Sequence, residues 1–392
     1  MEMLIVNKVR VGIIGLSAIG TPHCRNFFEG KIFNGVLAAV CDVNQDRLKW
    51  AKEEFGDGIG TFTSDEEMMK SGLIDAVVVA TPHYFHPELV IKSLNNNLHV
   101  LSEKPAGVYA KQVREMNEVA NKSDKIFSMM FNLRTNPSFY KVRELVKNGA
   151  IGDFQRVSWT LTNWFRTQAY FDSAKWRGTW KGEGGGLTVN QYSHQIDLLQ
   201  WICGMPKRTM AFCYEGKYHD IEVEDEVTAY FEFPNGATGV FIASTGESPG
   251  TNRLEIAGNK GKLVLEDNKI DLWQIDVKSS EFIKSAEGSF DEPKVCKTEV
   301  VIDDEYTSYV GVLNNWCDCI AKGTPLIAKG TEGIDEVQLS NGILLSSWLG
   351  EWVEIPANED LFFEKLQEKI KKSTFIKKEG KNIVHDLKGS IK

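Results

Sequence analysis

The segment Val9-Arg10-Val11-Gly12-Ile13-Ile14-Gly15-Leu16-Ser17-Ala18-Ile19-Gly20 decides the fold of the first part of the chain. Its apolar half predicts a buried strand, and two glycines then occupy the first and third positions of a Gly-x-Gly-x-x-Gly turn, with serine in the middle position. Glycines there permit a tight turn and a close approach of backbone to a pyrophosphate, whose charge the following helix N-terminus stabilises. We expect contacts to a dinucleotide from Gly15, Ser17, Ala18, Ile19 and Gly20.

An acidic residue follows the next apolar run. Asp42 comes directly after residues 36–41, about 20 residues beyond the last glycine, where dinucleotide folds carry a ribose-binding carboxylate. Its charge would repel a 2′-phosphate, so the sequence favours NAD over NADP. The alternative is another doubly wound sheet, such as a flavodoxin-like one, with a glycine pair in a loop and Asp42 capping a helix.

Residues 1–131 alternate short apolar runs with amphipathic segments, which is the pattern of a parallel sheet covered by helices. The predicted strands are 9–14, 36–41, 61–63, 76–80, 99–101 and 126–130. The predicted helices are 46–54, 87–94 and 110–120. This part of the chain is therefore predicted to be a Rossmann domain that binds NAD.

Residues 132–392 show a different pattern. A helix over 137–147 precedes alternating segments that predict antiparallel strands at 154–162, 227–233, 239–243, 254–257 and 262–265. Two helices, 309–321 and 332–350, are expected to close this second domain. The amphipathic stretch 361–370 and the lysine-rich end predict a charged tail, a solvated helix with a loose terminus. The fold class is α/β, with a Rossmann domain and an α/β domain on a large open, mainly antiparallel sheet.

The charge and the residue composition of the chain argue against several classes of binding partner. The formal net charge of -9 argues against nucleic acid and anionic membranes, because phosphate binding needs a basic face. The sequence reaches Lys8 and Arg10 without a signal-peptide core and has no apolar run of membrane-spanning length, so we expect a cytoplasmic protein. Seven cysteines without paired spacing predict reduced thiols, and His83 and His86 lack a third ligand at metal spacing, so no metal is expected.

Two further motifs follow predicted strands of the first sheet. Thr81-Pro82-His83-Tyr84-Phe85-His86 comes after residues 76–80, and Glu103-Lys104-Pro105 comes after residues 99–101. Ligands of open α/β sheets bind at the carboxyl ends of the strands. For His86 alone, helix capping or loop packing is an equal alternative. We expect the cofactor to be bordered by Thr81, Pro82, His83, His86, Glu103 and Lys104.

In their order and spacing these motifs resemble the family named for glucose-fructose oxidoreductase, inositol dehydrogenase and the rhizopine-catabolism protein (Gfo/Idh/MocA). The likeness covers about residues 8–350. It implies a Rossmann domain followed by an α/β domain whose open sheet carries the substrate face and often an oligomer interface. It also implies that Lys104 reaches the substrate beside the nicotinamide, where an ammonium can stabilise a developing alkoxide or exchange a proton.

The family's second signature is a glycine cluster before a helix, here Gly184-Gly185-Gly186-Leu187-Thr188-Val189-Asn190-Gln191-Tyr192-Ser193-His194. His194 matches the family histidine, and Asn190 lies where many of these dehydrogenases carry an aspartate. An amide orients a sugar hydroxyl but cannot take a proton. The resemblance thus implies Lys104 and His194 as catalytic residues and Asn190 as a substrate-binding residue, with Asp197 in a supporting contact. A buried structural histidine is the alternative for His194.

Aromatic and basic side chains crowd the segment between Trp159 and Trp180. Sugars stack their C–H faces on aromatic rings and offer hydroxyls to charged donors, so this segment predicts a substrate wall, with some of its rings in the core. Arg134 either lines the same cleft or holds the domain junction. The predicted substrate-binding residues of the wall are Trp164, Arg166, Tyr170, Trp176 and Arg177.

These features predict an NAD-dependent enzyme that moves hydride between nicotinamide and a secondary hydroxyl carbon of a sugar, sugar derivative or cyclitol. The protein is expected to form a homodimer or homotetramer. Two alternatives stay open. One is a glycosidase that cleaves a glycosidic bond through transient oxidation and recycles its NAD, and the other is a non-catalytic NAD-binding regulatory protein, against which Lys104 and His194 argue.

Overall fold

A computed structural model of the chain describes residues 8–377, which form two sheets with helices packed against them. The first sheet contains β1 (Val9–Ile14), β2 (Gly35–Cys41), β3 (Gly60–Phe62), β4 (Ala76–Val79), β5 (His99–Ser102) and β6 (Phe127–Met129). All its pairs are parallel, in the order β3-β2-β1-β4-β5-β6. The strand order reverses between β1 and β4, which is where ligands of such sheets bind. The predicted Rossmann sheet is confirmed.

Two helices of this region begin after a residue whose side chain accepts from a first-turn amide group. The helices are α1 (Gly20–Phe28), α2 (Gln45–Phe55), α3 (Asp65–Lys70), α4 (His86–Asn95) and α5 (Ala110–Ala120). The Asn44 side chain accepts from the Asp46 amide at the start of α2, and Ser64 accepts from the Glu67 amide at the start of α3. No side chain caps α1. The Thr21 amide donates to the Ser17 carbonyl oxygen and Pro22 has no N–H, so the Gly20 amide is the first-turn group of α1 that remains for an anionic ligand.

The second sheet has nine strands. They are β7 (Phe154–Leu161), β8 (Arg208–Glu215), β9 (Glu224–Glu232), β10 (Thr238–Ser244), β11 (Asn252–Gly258), β12 (Gly261–Glu266), β13 (Lys269–Ile275), β14 (Val295–Val300) and β15 (Val353–Glu354). Their order is β14-β13-β12-β11-β7-β10-β9-β8-β15, and only β7 and β10 pair in parallel. One face buries Trp159, Phe231 and Phe241 in a single core. The expected large, mainly antiparallel sheet is confirmed.

One helix joins the two sheets. The later helices are α6 (Pro137–Lys147), α7 (Gln168–Asp172), α8 (Ser193–Cys203), α9 (Ser279–Ser285), α10 (Ser308–Lys322), α11 (Gly333–Leu349) and α12 (Glu359–Lys372). In α11, Val337 packs in the core of the first sheet, while Leu339 and Ile343 pack in the core of the second. Residues 336–346 of α11 are all buried, polar side chains included, so α11 fixes the sheets relative to each other and the cleft between them.

Helix α10 was predicted to close the second domain, and this prediction is wrong. Val312, Leu313 and Trp316 are buried in the core that contains Val11 of β1 and Phe27 of α1. Their spacing puts them on one helix face. The core of the first sheet therefore includes a helix from late in the chain.

The predicted solvated tail needs a similar correction. Phe362 and Leu366 of α12 are fully buried, and the Phe362 ring stacks on Trp348 with centroids 5.2 Å apart. Beyond the helix, Lys377 Nζ donates to the carbonyl oxygens of Phe171 (2.7 Å) and Arg177 (2.6 Å). The tail up to Lys377 thus packs against the protein. The rest of the predicted charged tail lies outside the described residues.

A search of the helices within residues 8–377 found none with both the length and the apolar character needed to span a bilayer.

Candidate functional site

The glycine turn after β1 has a backbone shape that requires glycine. Gly15 adopts φ +95°. A Cβ on Gly15 would lie 2.6 Å from the Ala80 carbonyl oxygen, and one on Gly20 would lie 1.8 Å from the Gly15 carbonyl oxygen. The predicted contact residues Ser17, Ala18 and Ile19 then lead into the uncapped start of α1. This turn can hold a pyrophosphate against backbone amides.

Asp42 lies at the end of β2, beside a cavity of about 520 Å³ that we call the Asp42 cavity. Its carboxylate accepts from the Leu16 amide at 2.7 Å and from the Asn44 amide at 2.8 Å. A carboxylate has about four acceptor positions, so it can still accept from ribose hydroxyls. The lining residues that suit an adenosine group are Gly15, Val43, Phe85 and Leu89.

A second cavity, of about 180 Å³, lies next to the first and contains Lys104, so we call it the Lys104 cavity. The two cavities share Ser17, Thr81, Pro82 and Trp176 in their walls. The Thr81 hydroxyl oxygen is buried and has no hydrogen-bond partner within the described part of the chain. A buried polar atom of this kind calls for a partner. A dinucleotide extending from one cavity into the other fits these residues.

Three of the predicted cofactor residues contact other groups of the protein. Both ring nitrogens of His86 lie 2.7 Å from carbonyl oxygens, those of Pro105 and Thr81. The residue lies outside both cavity linings, so its prediction as a cofactor contact is not supported and loop packing is what the structure shows. Glu103 lines the Lys104 cavity, but its carboxylate is 2.7 Å from His23 Nε2. His83 also lines that cavity and packs edge-on against Trp176.

Lys104 lies at the carboxyl end of β5 and points to the glycine-rich segment of the second domain. Its Nζ donates to the Asn190 carbonyl oxygen at 2.9 Å and to the Asn190 side-chain oxygen at 3.4 Å. Burial lowers the pKa of Lys104 to about 8, against the opposing effect of Glu103 and Glu336. The amine can therefore both give and take a proton near neutral pH.

His194 lines the same cavity from the first turn of α8. It is only 4% exposed, and burial, with Lys104 nearby, holds its pKa well below its ordinary value. Its Nδ1 is buried and has no hydrogen-bond partner within residues 8–377. The ring is therefore neutral at physiological pH, and the predicted pairing of Lys104 with His194 in one cavity is what the structure shows.

Asn190 also lines the Lys104 cavity, but it lies before the helix that carries His194. It belongs to a π-helical turn, Leu187–Gln191, that precedes α8. Its Nδ2 donates to the carboxylate of Glu183, which the sequence analysis missed. Single-turn π-helices often occur at functional sites.

The predicted substrate wall is assembled as expected. Tyr170 is its centre, because its hydroxyl lies 2.6 Å from Arg177 Nη1, which donates to it, and 3.3 Å from Gln191 Nε2. The Arg177 guanidinium lies 4.4 Å from the Trp176 ring centroid. Gln191 and Tyr309 were not predicted. The wall residues that line the Lys104 cavity are Trp164, Arg166, Tyr170, Trp176, Arg177, Gln191 and Tyr309.

Arg134 is not part of this wall. It is 2% exposed, and its Nε and Nη2 donate to the two carboxylate oxygens of Asp197 at 2.9 and 2.7 Å. Its Nη1 contacts Glu332. A buried guanidinium needs carboxylate partners, so Arg134 holds the junction between domains and its prediction as a substrate-binding residue is wrong. Asp197 supports Arg134 and not His194.

Two family models match the chain. Residues 9–131 match the model described as "Oxidoreductase family, NAD-binding Rossmann fold", and residues 139–264 match the "GFO/IDH/MocA C-terminal domain". The two matches cover the glycine turn, Lys104, Asn190 and His194. The family resemblance drawn from the motifs is confirmed.

Several characterised proteins are similar to this chain. Myo-inositol 2-dehydrogenase of Thermotoga maritima is 29% identical over 66% of this chain and 75% of its own length. Levoglucosan dehydrogenase of Pseudarthrobacter phenanthrenivorans is 23% identical over 69% and 76%. The WlbA dehydrogenase of Bordetella pertussis, solved with NADH and UDP-GlcNAcA, is 25% identical with a TM-score of 0.76, covering 90% of this chain and 100% of that one. The chain belongs to the Gfo/Idh/MocA oxidoreductase family, with an NAD-binding Rossmann domain.

Proposed function

We propose that the protein is an NAD-dependent oxidoreductase acting on a secondary hydroxyl carbon of a sugar, sugar derivative or cyclitol. The observation that carries the proposal is the position of Lys104 and His194 in one cavity, beside the cavity that suits the nucleotide. The aromatic and basic wall around Tyr170 faces the same space. Sugar-type substrates fit such walls because they present both apolar C–H faces and many hydroxyls.

Each residue has a role that its surroundings support. Bound NAD would supply the hydride acceptor. Lys104, held by the Asn190 oxygens, takes the proton of the reacting hydroxyl or stabilises its oxygen. The neutral His194 ring hydrogen-bonds to the reacting hydroxyl or to the hydroxyl on the neighbouring carbon. Arg177 and Tyr170 fix the orientation of the other hydroxyls, and the rings of Trp164 and Trp176 exclude water.

The relatives support this class of substrate. Their names refer to myo-inositol and levoglucosan, and the WlbA structure contains a nucleotide sugar. The test is a panel of sugars, cyclitols and nucleotide sugars offered with NAD, with absorbance of the reduced nicotinamide as the readout. Net formation of NADH is the expected result. Glycoside cleavage without net NADH would favour the glycosidase alternative, and NAD binding with neither reaction would favour a regulatory protein.

The pH dependence of oxidation should follow Lys104. The neutral amine is the form that accepts a proton, and its share increases as the pH rises towards the Lys104 pKa of about 8. The value of kcat/KM for oxidation should therefore rise about tenfold per pH unit below that point and then level off. In the reducing direction the protonated amine is required, so the rate should fall above the same pH. A pH profile of kcat/KM with a midpoint near 6, characteristic of histidine, would contradict the assignment of Lys104 as the proton acceptor.

NAD should bind at least about tenfold more tightly than NADP, which corresponds to about 1.4 kcal/mol. Asp42 would face the added phosphate, and Arg47, the nearby cation, already donates to the Leu16 carbonyl oxygen and to Thr21. Titration of both cofactors by protein fluorescence measures the ratio. Asp42→Ser should reduce this preference, whereas Asp46→Ser, which removes a neighbouring exposed carboxylate, should not. Equal affinities for the wild type would mean that Asp42 does not face the ribose.

The protein should self-associate through the outer face of the second sheet. Phe212 and Tyr214 of β8, Tyr230 of β9 and Trp352 before β15 are exposed there, by 55%, 50%, 38% and 41% respectively. A contiguous apolar patch of this kind usually marks an interface. Sedimentation at micromolar concentration should show a dimer or tetramer, and Phe212→Lys should shift it towards the monomer. A wild-type monomer would remove this proposal.

A further inference from the structure

A buried carboxylate that has no role in the proposed reaction lies directly behind Asn190. Glu183 is completely buried and immediately precedes the glycine cluster. One of its oxygens accepts from Asn190 Nδ2 and the other accepts from the Gly178 amide. Glu183 forms no ion pair with any residue among 8–377. Burying a charge in this way is costly unless hydrogen bonds and nearby cations compensate it, so a function for it has to be sought.

Glu183 determines which way the Asn190 amide points. An ionised carboxylate only accepts hydrogen bonds, so the NH₂ group of Asn190 must face Glu183. The amide oxygen then faces Lys104 Nζ, alongside the Asn190 carbonyl oxygen. If the Asn190 amide were rotated by 180°, its NH₂ group would face the Lys104 ammonium, and two hydrogen-bond donors would then be in contact. The orientation that Lys104 needs therefore depends on a carboxylate at position 183.

The charge of Glu183 also acts on Lys104. Glu183 is among the groups that favour the charged form of Lys104. Burial raises the pKa of Glu183, and Arg177, the two hydrogen bonds that Glu183 accepts from Asn190 and Gly178, and Lys377 act in the opposite direction and favour its ionised form. The Asn190 amide stands between the two charges. Its oxygen accepts from Lys104 Nζ and its NH₂ group donates to Glu183, so hydrogen bonds through one side chain connect them.

We propose that Glu183 is a positioning residue, which, through the Asn190 amide, orients Lys104 and supplies the negative charge that an aspartate at position 190 would supply. This inference rests on the proposed function for its effect on turnover, but its effect on Lys104 can be measured without a substrate. The prediction concerns four proteins: the wild type, Glu183→Gln, Asn190→Asp and the double variant.

Each variant changes the donors and acceptors in a defined way. In Glu183→Gln, the new NH₂ group must face either the Gly178 amide or Asn190 Nδ2, both of which are donors. In Asn190→Asp, two carboxylates meet in a buried contact and must share a proton. In the double variant, the glutamine oxygen accepts from Gly178 and its NH₂ group donates to the new aspartate, which can still accept from Lys104. Among the variants, only the double variant satisfies every group without taking up an additional proton.

The effects of the substitutions at positions 183 and 190 on kcat should therefore be strongly coupled. Each single variant should lose at least about tenfold in kcat, and the double variant should recover most of that loss, as contacting residues in one network do. The substrate-independent readout is acetylation of Lys104 by acetic anhydride as a function of pH, followed by mass spectrometry on NADH-saturated protein. The midpoint should move to lower pH in Glu183→Gln, because a nearby negative charge is lost, and should return in the double variant.

Glu224→Gln is the matched control. Glu224, at the start of β9, is another buried carboxylate; it accepts from the Gly186 and Thr188 amides of the glycine-rich segment and forms no hydrogen bond with Lys104 within the described residues. This variant should lose thermal stability but leave the Lys104 midpoint unchanged. An unchanged midpoint in Glu183→Gln, or a double variant no better than the worse single variant, would overturn the proposal. If Glu183→Gln does not fold, the positioning role is tested by the pH midpoints of Lys104 acetylation in Asn190→Asp and in the double variant. If Lys104 titrates as expected but no substrate is oxidised, the proposed function fails and the positioning role stands.

Discussion

Lys104→Met should lower turnover by about 10² to 10⁴-fold while leaving the Kd for NAD nearly unchanged. Methionine fills a similar volume but has no proton and no charge to offer the reacting oxygen. Within the described residues the Lys104 ammonium group hydrogen-bonds only to Asn190, and the groups that suit the pyrophosphate are backbone amides of the turn that leads into α1. The loss should therefore appear in kcat and in kcat/KM to a similar degree, as expected for an interaction made in the transition state.

The measurement is steady-state kinetics on a substrate found in the panel, together with NAD titration and circular dichroism of each variant. His194→Ala should show a smaller loss in the same direction, because the neutral ring binds a hydroxyl but Lys104 still moves the proton. Lys111→Met is the control. Lys111 forms an exposed ion pair with Asp360 on the surface, so this variant should retain wild-type kinetics. Near wild-type turnover of Lys104→Met would reject the assignment of Lys104.

The parts of the site that could be predicted are those where the backbone itself restricts the sequence. The glycine turn requires a positive φ at Gly15 and the absence of a Cβ at Gly20. These demands are local, so they are visible in the sequence. Lys104 and His194 were assigned from the family resemblance, which could be recognised because Lys104 follows a buried strand and His194 follows a glycine cluster.

What could not be predicted depends on contacts between distant segments. Arg134 is a plausible substrate ligand as an isolated residue, and only the folded chain shows Asp197 and Glu332 on either side of it. Glu183 had no visible signal beyond its place before the glycines. Similarly, the docking of Lys377 on the substrate wall could not be foreseen, since nothing in a lysine-rich end specifies a pair of carbonyl oxygens as its partners.

Four strands of the second sheet, β8, β13, β14 and β15, escaped prediction, and β8 and β14 show a related reason. In β8 the outward positions carry Phe212 and Tyr214, so the polar half of the expected alternation is missing. In β14 almost every residue is exposed, so there is no apolar face to recognise. Both strands form because neighbouring strands offer them hydrogen bonds. The alternation of apolar and polar residues indicates which face of a strand is buried. It gives a weak signal where a strand is stabilised chiefly by backbone hydrogen bonds to its neighbours.

The ion pair of Arg134 should contribute most to the stability of the site's framework. Arg134 lies on the 3₁₀ turn Asn132–Thr135 after β6, Asp197 lies on α8 and Glu332 lies just before α11. Of these elements, α8 carries His194, and the turn with Glu332 leads into α11, which packs in the cores of both sheets. Arg134→Met should therefore reduce the free energy of unfolding by about 3–5 kcal/mol, because Asp197 would be left buried without its cation.

Urea denaturation of four proteins separates this effect from simple loss of volume. Arg134→Met and Asp197→Leu should each be strongly destabilised, while the variant with both changes should be more stable than either, because no unpaired charge remains. Arg143→Met removes a guanidinium that lies 4.4 Å from the Trp201 ring centroid outside this ion pair, and it should cost about 1 kcal/mol or less. Additive losses in the variant with both changes would mean that the pair is not a coupled unit. Since α8 carries His194, the destabilised single variants should also have a raised KM for substrate. In the variant with both changes, the KM should return towards the wild-type value only to the extent that α8 regains its wild-type position.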